Sequence, residues 1–365
     1  MAMLFRSRLT DWTVFVPVLA ILVLLLTWER DLSGPAVVVL AVLLAGAVLA
    51  AVHHAEVVAH RVGEPYGSLV LAVAVTVIEV ALIVTLMISG GEKTASLARD
   101  TVFAAIMITC NGILGLSLLL GALRRRVAVF NSEGTGGALA TVTTLATLSL
   151  VVPNFTSRPG PQFTPAQLTF AAVVSLALYG LFVMVQTGRH RDYFLPVNSQ
   201  GRVLDTDGHA EQPSNRATLI SAGLLLVALV AVVGDAKSVS PAIESVVTGA
   251  NLPPSFVGVV IALLVLLPET IAAARAAHRD RVQISLNLAL GSAMASIGLT
   301  IPAIAIASIW LEGPLLLGLG GTQLTLLALT VVTSVLTVVP GRATVLQGGV
   351  HLVLLAAFVF LAASP

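Results

Sequence analysis

The stretch SLVLAVAVTVIEVALIVTLMIS, residues 68–89, decides the architecture. It is apolar on every face of a helix and holds one ionisable side chain, Glu79. At about 1.5 Å per residue, such a run crosses a hydrocarbon layer of roughly 30 Å, with Glu79 near its middle. The residues around it say the same. Ten further runs of this kind lie at 12–28, 35–55, 101–123, 136–152, 165–186, 217–234, 255–276, 282–310, 323–339 and 346–363. The spacing predicts an all-α integral membrane protein of about eleven transmembrane helices.

Composition agrees. Of 365 residues, 57% are hydrophobic and only 10% are charged, where a soluble domain carries about 25% charged residues. The net charge of +1 gives no basis for binding nucleic acid. The single cysteine, Cys110, sits in an apolar run, so neither an intrachain disulfide nor a cysteine metal framework is expected. Arg6 and Arg8 precede the first run as in a signal peptide, but no small-residue cleavage site follows, and the run reads as a retained span.

A cytoplasmic amino terminus leaves only Arg30, Lys93, Arg99, Arg158 and Lys237 outside, 5 of 19 basic residues against 14 inside. That is the asymmetry of the positive-inside rule, and eleven spans then put the carboxyl terminus outside. The one long polar connector, 187–216, divides the chain. Residues 1–32 form an extra span, 33–186 a first set of five and 217–365 a second, with the connector in the cytoplasm. A five-span unit that recurs must insert upside down the second time, which predicts two inverted five-helix repeats.

In the second helix of each repeat stands one intramembrane acid, Glu79 and Glu269. Counted from Gly67 and Ser255, they lie about 18 and 21 Å deep, both near the midplane. A charged group at that depth costs at least about 2.5–3.5 kcal/mol, and residues retained there mark ion or proton pathways. The following spans carry oxygen-bearing and small residues: Thr109, Asn111 and Gly112 in one, Asn287, Gly291, Ser292, Ser296 and Thr300 in the other. A hard divalent cation takes about six to eight oxygens, and this set offers them without nitrogen or sulfur. Pro268 gives no helical N–H, which frees a carbonyl near Leu264 beside Glu269.

A second cluster, HHAEVVAHRVGEP, covers 53–65. His53, Glu56 and His60 share one helical face and are expected to form a proton relay or cation funnel at the cytoplasmic mouth. A merely solvated helix end is the plain alternative, since polar groups are cheap at the interface, and the zinc site of a membrane-embedded hydrolase is the remote one, its His-Glu-x-x-His order being missing. Asp235 and Glu244 flank the loop expected after the seventh span and are candidates for the outer mouth. The segment DTDG, 205–208, lacks most ligands of a calcium loop and reads as tether.

Three segments carry a resemblance: AHRVGEPYGSLVLAVAVTVIEVALI, VMVQTGRHRDYFLP, and LLPETIAAARAAHRDRVQISLNLALGSAMASIGLTIP. They resemble the bacterial calcium/proton antiporters of the cation/Ca²⁺ exchanger superfamily, in order and over almost the whole chain after the first span. The resemblance implies a secondary antiporter rather than an enzyme, in the bacterial inner membrane. Glu79 and Glu269 would bind the cation, Asn111 would match a polar asparagine, and Gly291 with Ser292 a Gly-Ser pair. The family often has an asparagine three residues before each glutamate. Here Thr76 and Leu266 stand at those positions, so coordination there is weaker or absent, and Thr76 is retained among the candidate ligands.

The chemistry is competition. An unpaired carboxylate in a low-dielectric site takes up a proton, and a bound cation displaces it. Two such groups hold two protons or one Ca²⁺ with no net charge left in the membrane. The expectation is Ca²⁺ extrusion against protons by alternating access, with Na⁺ or K⁺ exchange as the same-fold alternative. Beyond these transported ions and surrounding lipid, no cofactor is expected, and the sequence carries no signal for oligomeric state.

Overall fold

The computed structural model describes residues 12–27, 34–63, 66–197, 213–311 and 313–365, without the side chains of 66–69, 92, 93 and 244. Among the described residues the helices are α1 Trp12–Thr27, α2 Gly34–Val62, α3 Tyr66–Gly90, α4 Leu97–Arg125, α5 Ser132–Phe155, α6 Pro165–Arg189, α7 Asn215–Gly249, α8 Phe256–His278, α9 Val282–Ala307, α10 Gly321–Val338 and α11 Val345–Ala363. Ten are long and apolar enough to cross a membrane, and α1, with 16 residues, is shorter. The fold is the all-α membrane architecture expected from the apolar runs.

Helix ends follow local chemistry. The side chain of Asn131 accepts the N–H groups of Glu133 and Gly134 at 2.9 and 3.1 Å, starting α5. Pro165 occupies the first turn of α6, whose Thr164 and Gln167 satisfy each other's backbone N–H, and Thr344 with Gln347 do the same for α11. Inside α4, Ile108–Ile113 widens into a π-helical turn, a local rearrangement common at functional sites.

The helices group into two compact units. The first holds α1, α2, α3 and α7, with α2 against the other three. Small residues permit close approach: a Cβ on Gly46 would stand 2.8 Å from Val16 Cγ1, and one on Gly234 would run into Leu24. The second unit holds α4–α6, α8–α11 and a short antiparallel pair, β1 Ala128–Val129 with β2 Arg342–Ala343. There α4 is buried along most of its length, against α8 and α11. Gly348 permits its crossing with α11, since a Cβ there would lie 2.7 Å from Leu119 N. On the outer surfaces Leu25, Leu219, Leu226, Leu336 and Leu346 are exposed, as suits helices solvated by lipid chains rather than water.

The structure corrects one boundary that matters. A loop was expected after residue 234, with Asp235 at its edge. Instead α7 runs unbroken to Gly249, and Asp235 is fully buried within it. Nothing between Gly234 and Ser240 forces a stop, and Pro241 withholds an N–H only from the carbonyl of Lys237. Glu244 lies on the same helix, its side chain outside the described residues.

Candidate functional site

Among the described residues, each unit carries one buried glutamate. In the first, Glu79 follows Tyr66, the first residue of α3, by 13 positions; in the second, Glu269 follows Phe256, the first of α8, by the same 13. That offset is about 20 Å along either helix. Glu79 is 4% exposed and Glu269 9%. One turn before Glu79, Thr76 is buried as well. Beside Glu269, the Thr270 hydroxyl donates to the carbonyl of Leu266 at 2.7 Å. Pro268 stands inside α8 and leaves the carbonyl of Leu264 without its usual helical donor.

The polar candidates on α9 fall into two groups. Gly291 and Ser292 are half-buried, and a Cβ on Gly291 would meet nothing within 4 Å. Gly291 is therefore no packing notch, unlike Gly112, whose Cβ would touch Leu355 at 3.1 Å. Asn287 is spent on the scaffold: its Oδ1 accepts from Gln283 Nε2 at 2.9 Å, and its Nδ2 donates to the carbonyl of Phe194 at 2.6 Å. Gln283 in turn accepts from the backbone N–H of Asn131 at 2.6 Å and donates to Thr135 at 3.3 Å.

Asn111, in the widened turn of α4, is also engaged. Its Nδ2 donates to Thr330 Oγ1 at 2.9 Å, while its Oδ1 faces His351 Nδ1 at 3.1 Å. His351 Nε2 lies 3.2 Å from Thr337 Oγ1. Because an amide oxygen only accepts, Nδ1 carries the proton, and Nε2 takes the hydrogen bond from Thr337. All four side chains are buried. The sequence reading had Asn111 alone. The signal for the rest was present in a lone imidazole within the aliphatic run of α11.

On α2, His53, Glu56 and His60 are exposed on one face, as their spacing implies. Their neighbour His54 points the other way, buried, with Nδ1 3.3 Å from Ser221 Oγ on α7 and Nε2 3.0 Å from the carbonyl of Thr13 on α1. No three His, Cys, Asp or Glu among the described residues gather as metal ligands, so the zinc alternative gains nothing from the geometry. The tether segment 205–208 lies outside the described residues.

In the second unit, buried Asp100 accepts from Ser96 and Arg99, both at 2.8 Å, and from Gln323 at 3.3 Å. It borders a half-open pocket of about 240 Å³ whose walls include Phe103, Val259 and Phe358. This carboxylate also went unread in the sequence.

A bundle of membrane helices with one buried carboxyl at the same station of two helices is a cation-exchanger architecture, and comparison with known proteins gives the family. The family model described as sodium/calcium exchanger protein matches residues 33–188 and 220–363. The chain belongs to this family, whose members are transporters. Over 362 residues it is 46% identical to "Putative ionic transporter y4hA" of Sinorhizobium fredii (strain NBRC 101917 / NGR234), covering 97% of this chain and 96% of that one. It is 34% identical to the sodium-potassium/proton antiporter ChaA of Escherichia coli (strain K12), again over 97% and 96% of the two chains. The solved structure of native YfkE superposes with a TM-score of 0.72 at 17% identity, over 97% of this chain and 99% of that one. At that identity the likeness is one of fold.

Proposed function

We propose that this exchanger drives a metal cation out against protons through Glu79 and Glu269, with Ca²⁺ as the cation. The observation that carries the reading is the repetition: each of the two family-matched segments places one buried carboxyl 13 residues into its second long helix. Neutralising both takes either two protons or one divalent cation. The empty, doubly ionised state is the costly one in a low dielectric. Exchange is then coupled because only loaded forms change which side they face. Thr76, Gly291 and Ser292 supply further oxygen donors, and His53, Glu56 and His60 line the approach from the end of α2.

Calcium is supported by the family's description and by a candidate donor set composed of oxygen. A second reading, exchange of Na⁺ or K⁺, is favoured by the name of the Escherichia coli relative and by Thr76 and Leu266 standing where amides would complete a divalent site. The deciding experiment uses proteoliposomes with a preset pH gradient, to which Ca²⁺, Na⁺ or K⁺ is added. Collapse of the gradient by Ca²⁺ alone supports the first reading. Collapse by Na⁺ or K⁺ but not Ca²⁺ replaces it with the second, and current without proton movement removes both.

A further inference from the structure

Asp235 is the buried titratable group that the exchange mechanism leaves without a task. It is 0% exposed, and neither carboxyl oxygen has a hydrogen-bond partner among the described residues. Buried polar groups without partners are rare in native folds, and each one asks for a reason.

Its surroundings follow from two contacts inside the first unit. His54 meets Ser221, and Arg61 of α2 donates to the side chain of Asn215. The paired residue numbers sum to 275 and 276, so α2 and α7 run antiparallel in one register. Fourteen residues beyond Ser221, Asp235 is then level with Leu40, which is also 0% exposed. On the α1 side Gly234 abuts Leu24. Counting back from the α2–α3 connection, the same level on α3 falls near Ile88. Glu79 then lies nine residues deeper, roughly 13 Å away along the helix.

Among the described residues, the charged and titratable groups around Asp235 are few. The described part of α1 has none, and α2 has none between Gly34 and Val52. His53, His54, Glu56, His60 and Arg61 cluster at the far end of α2, and α3 has Glu79. On α7 itself, Lys237 is exposed two residues on, and Glu244 follows more than two turns later. Among the described residues, no cation on α1, α2 or α3 stands at the level of the carboxyl. Two features lie toward the Gly249 end: buried Ser240, whose hydroxyl has no hydrogen-bond partner among the described residues, and Pro241, which brings no N–H to the helix.

An ionised carboxylate without donors among leucines costs far more than the acid form, which keeps the same shape without the charge. We propose that Asp235 is a proton-binding site of its own, lying between the Gly249 end of α7 and Glu79, which loads a proton before Glu79 exchanges it. The coupling part of this inference rests on the proton-exchange reading above; the proton site itself does not.

The test separates the two. In the full-length Glu79→Gln/Glu269→Gln protein, in lipid, an infrared carboxylic acid band that titrates with bulk pH should remain, and adding Asp235→Asn should remove it. In the otherwise native protein, Asp235→Asn should slow cation-driven proton flux at least about tenfold and flatten its pH profile, with part of the rate restored by Asp235→Glu. Absence of a titrating band, or flux in Asp235→Asn with the native rate and pH profile, overturns the proposal. If Asp235→Asn aggregates, the band of Asp235→Glu decides: a shifted, titrating band supports the site and an unaltered spectrum overturns it. If the band behaves as described while the native protein moves no cation against protons, the exchange reading fails and the proton site stands.

Discussion

His351 on α11 holds Asn111 on α4 by a 3.1 Å hydrogen bond that joins residues 240 apart in sequence. Thr330 and Thr337 complete the chain from α10. Removing the imidazole with His351→Ala leaves the Asn111 oxygen and the Thr337 hydroxyl buried and unpaired, at about 1–3 kcal/mol each. The variant should unfold at lower temperature in detergent, whereas Thr330→Val, which strands only the Asn111 N–H, should lose less. Equal melting of His351→Ala and the native protein would remove the clamp.

Glu79→Gln and Glu269→Gln keep the shape of the acid and lose the ability to ionise. Each should insert normally and abolish cation-driven proton flux in vesicles. Near-native flux in either variant would take that residue out of the site.

Two glycines should respond oppositely to alanine. A Cβ on Gly258 would stand 2.8 Å from the backbone carbon of Asp100, while one on Gly291 has open space around it. Gly258→Ala should therefore destabilise the fold by about 1–3 kcal/mol, the usual range for overpacking. Gly291→Ala should melt like the native protein, and any loss of flux in it would report on the space itself. Equal stability of the two variants would contradict the close approach of α8 to α4.

Exposed His53, Glu56 and His60 are proposed as an approach to the site and not as ligands. Single substitutions should slow turnover or move its pH profile and leave the ratio of Ca²⁺ to Na⁺ rates unchanged. A changed ratio in Glu56→Gln would move that residue into the selectivity site.

Orientation is checked by single-cysteine labelling after replacing Cys110, which is itself buried. A cysteine at exposed Ser157 should react with an impermeant maleimide in intact cells, and one at Ser199 only after lysis. The reverse pattern would invert the topology deduced from the basic residues.

The spans and the two glutamates were legible because each depends on a local property, a long apolar run and an acid inside it. Helix ends were not. In α7 the hydrophobic run stops at Val233, yet the backbone continues, since the helix is held by its own hydrogen bonds and does not need an unbroken apolar sequence. The partners of Asn111 and Asn287 were hidden for a different reason. Apart from Gln283, one turn before Asn287 on the same helix, they come from α10, α11 and the segment after α6, and tertiary pairing leaves no trace in local composition. The grouping of α7 with α1–α3 is of the same kind, because α7 opens the second half of the sequence but joins helices of the first.

The length of α7 has a mechanical meaning. Its 35 residues extend about 52 Å, against roughly 30 Å of hydrocarbon, so the rod projects from the bilayer or leans within it. Near one end it is pinned by His54 to Ser221, 28 residues short of Gly249. A tilt of about 10° about that contact would carry the opposite tip through about 7 Å, several times the displacement of the residues beside it. A tilt of that kind would turn a small adjustment near one end of α7 into a large excursion at the other.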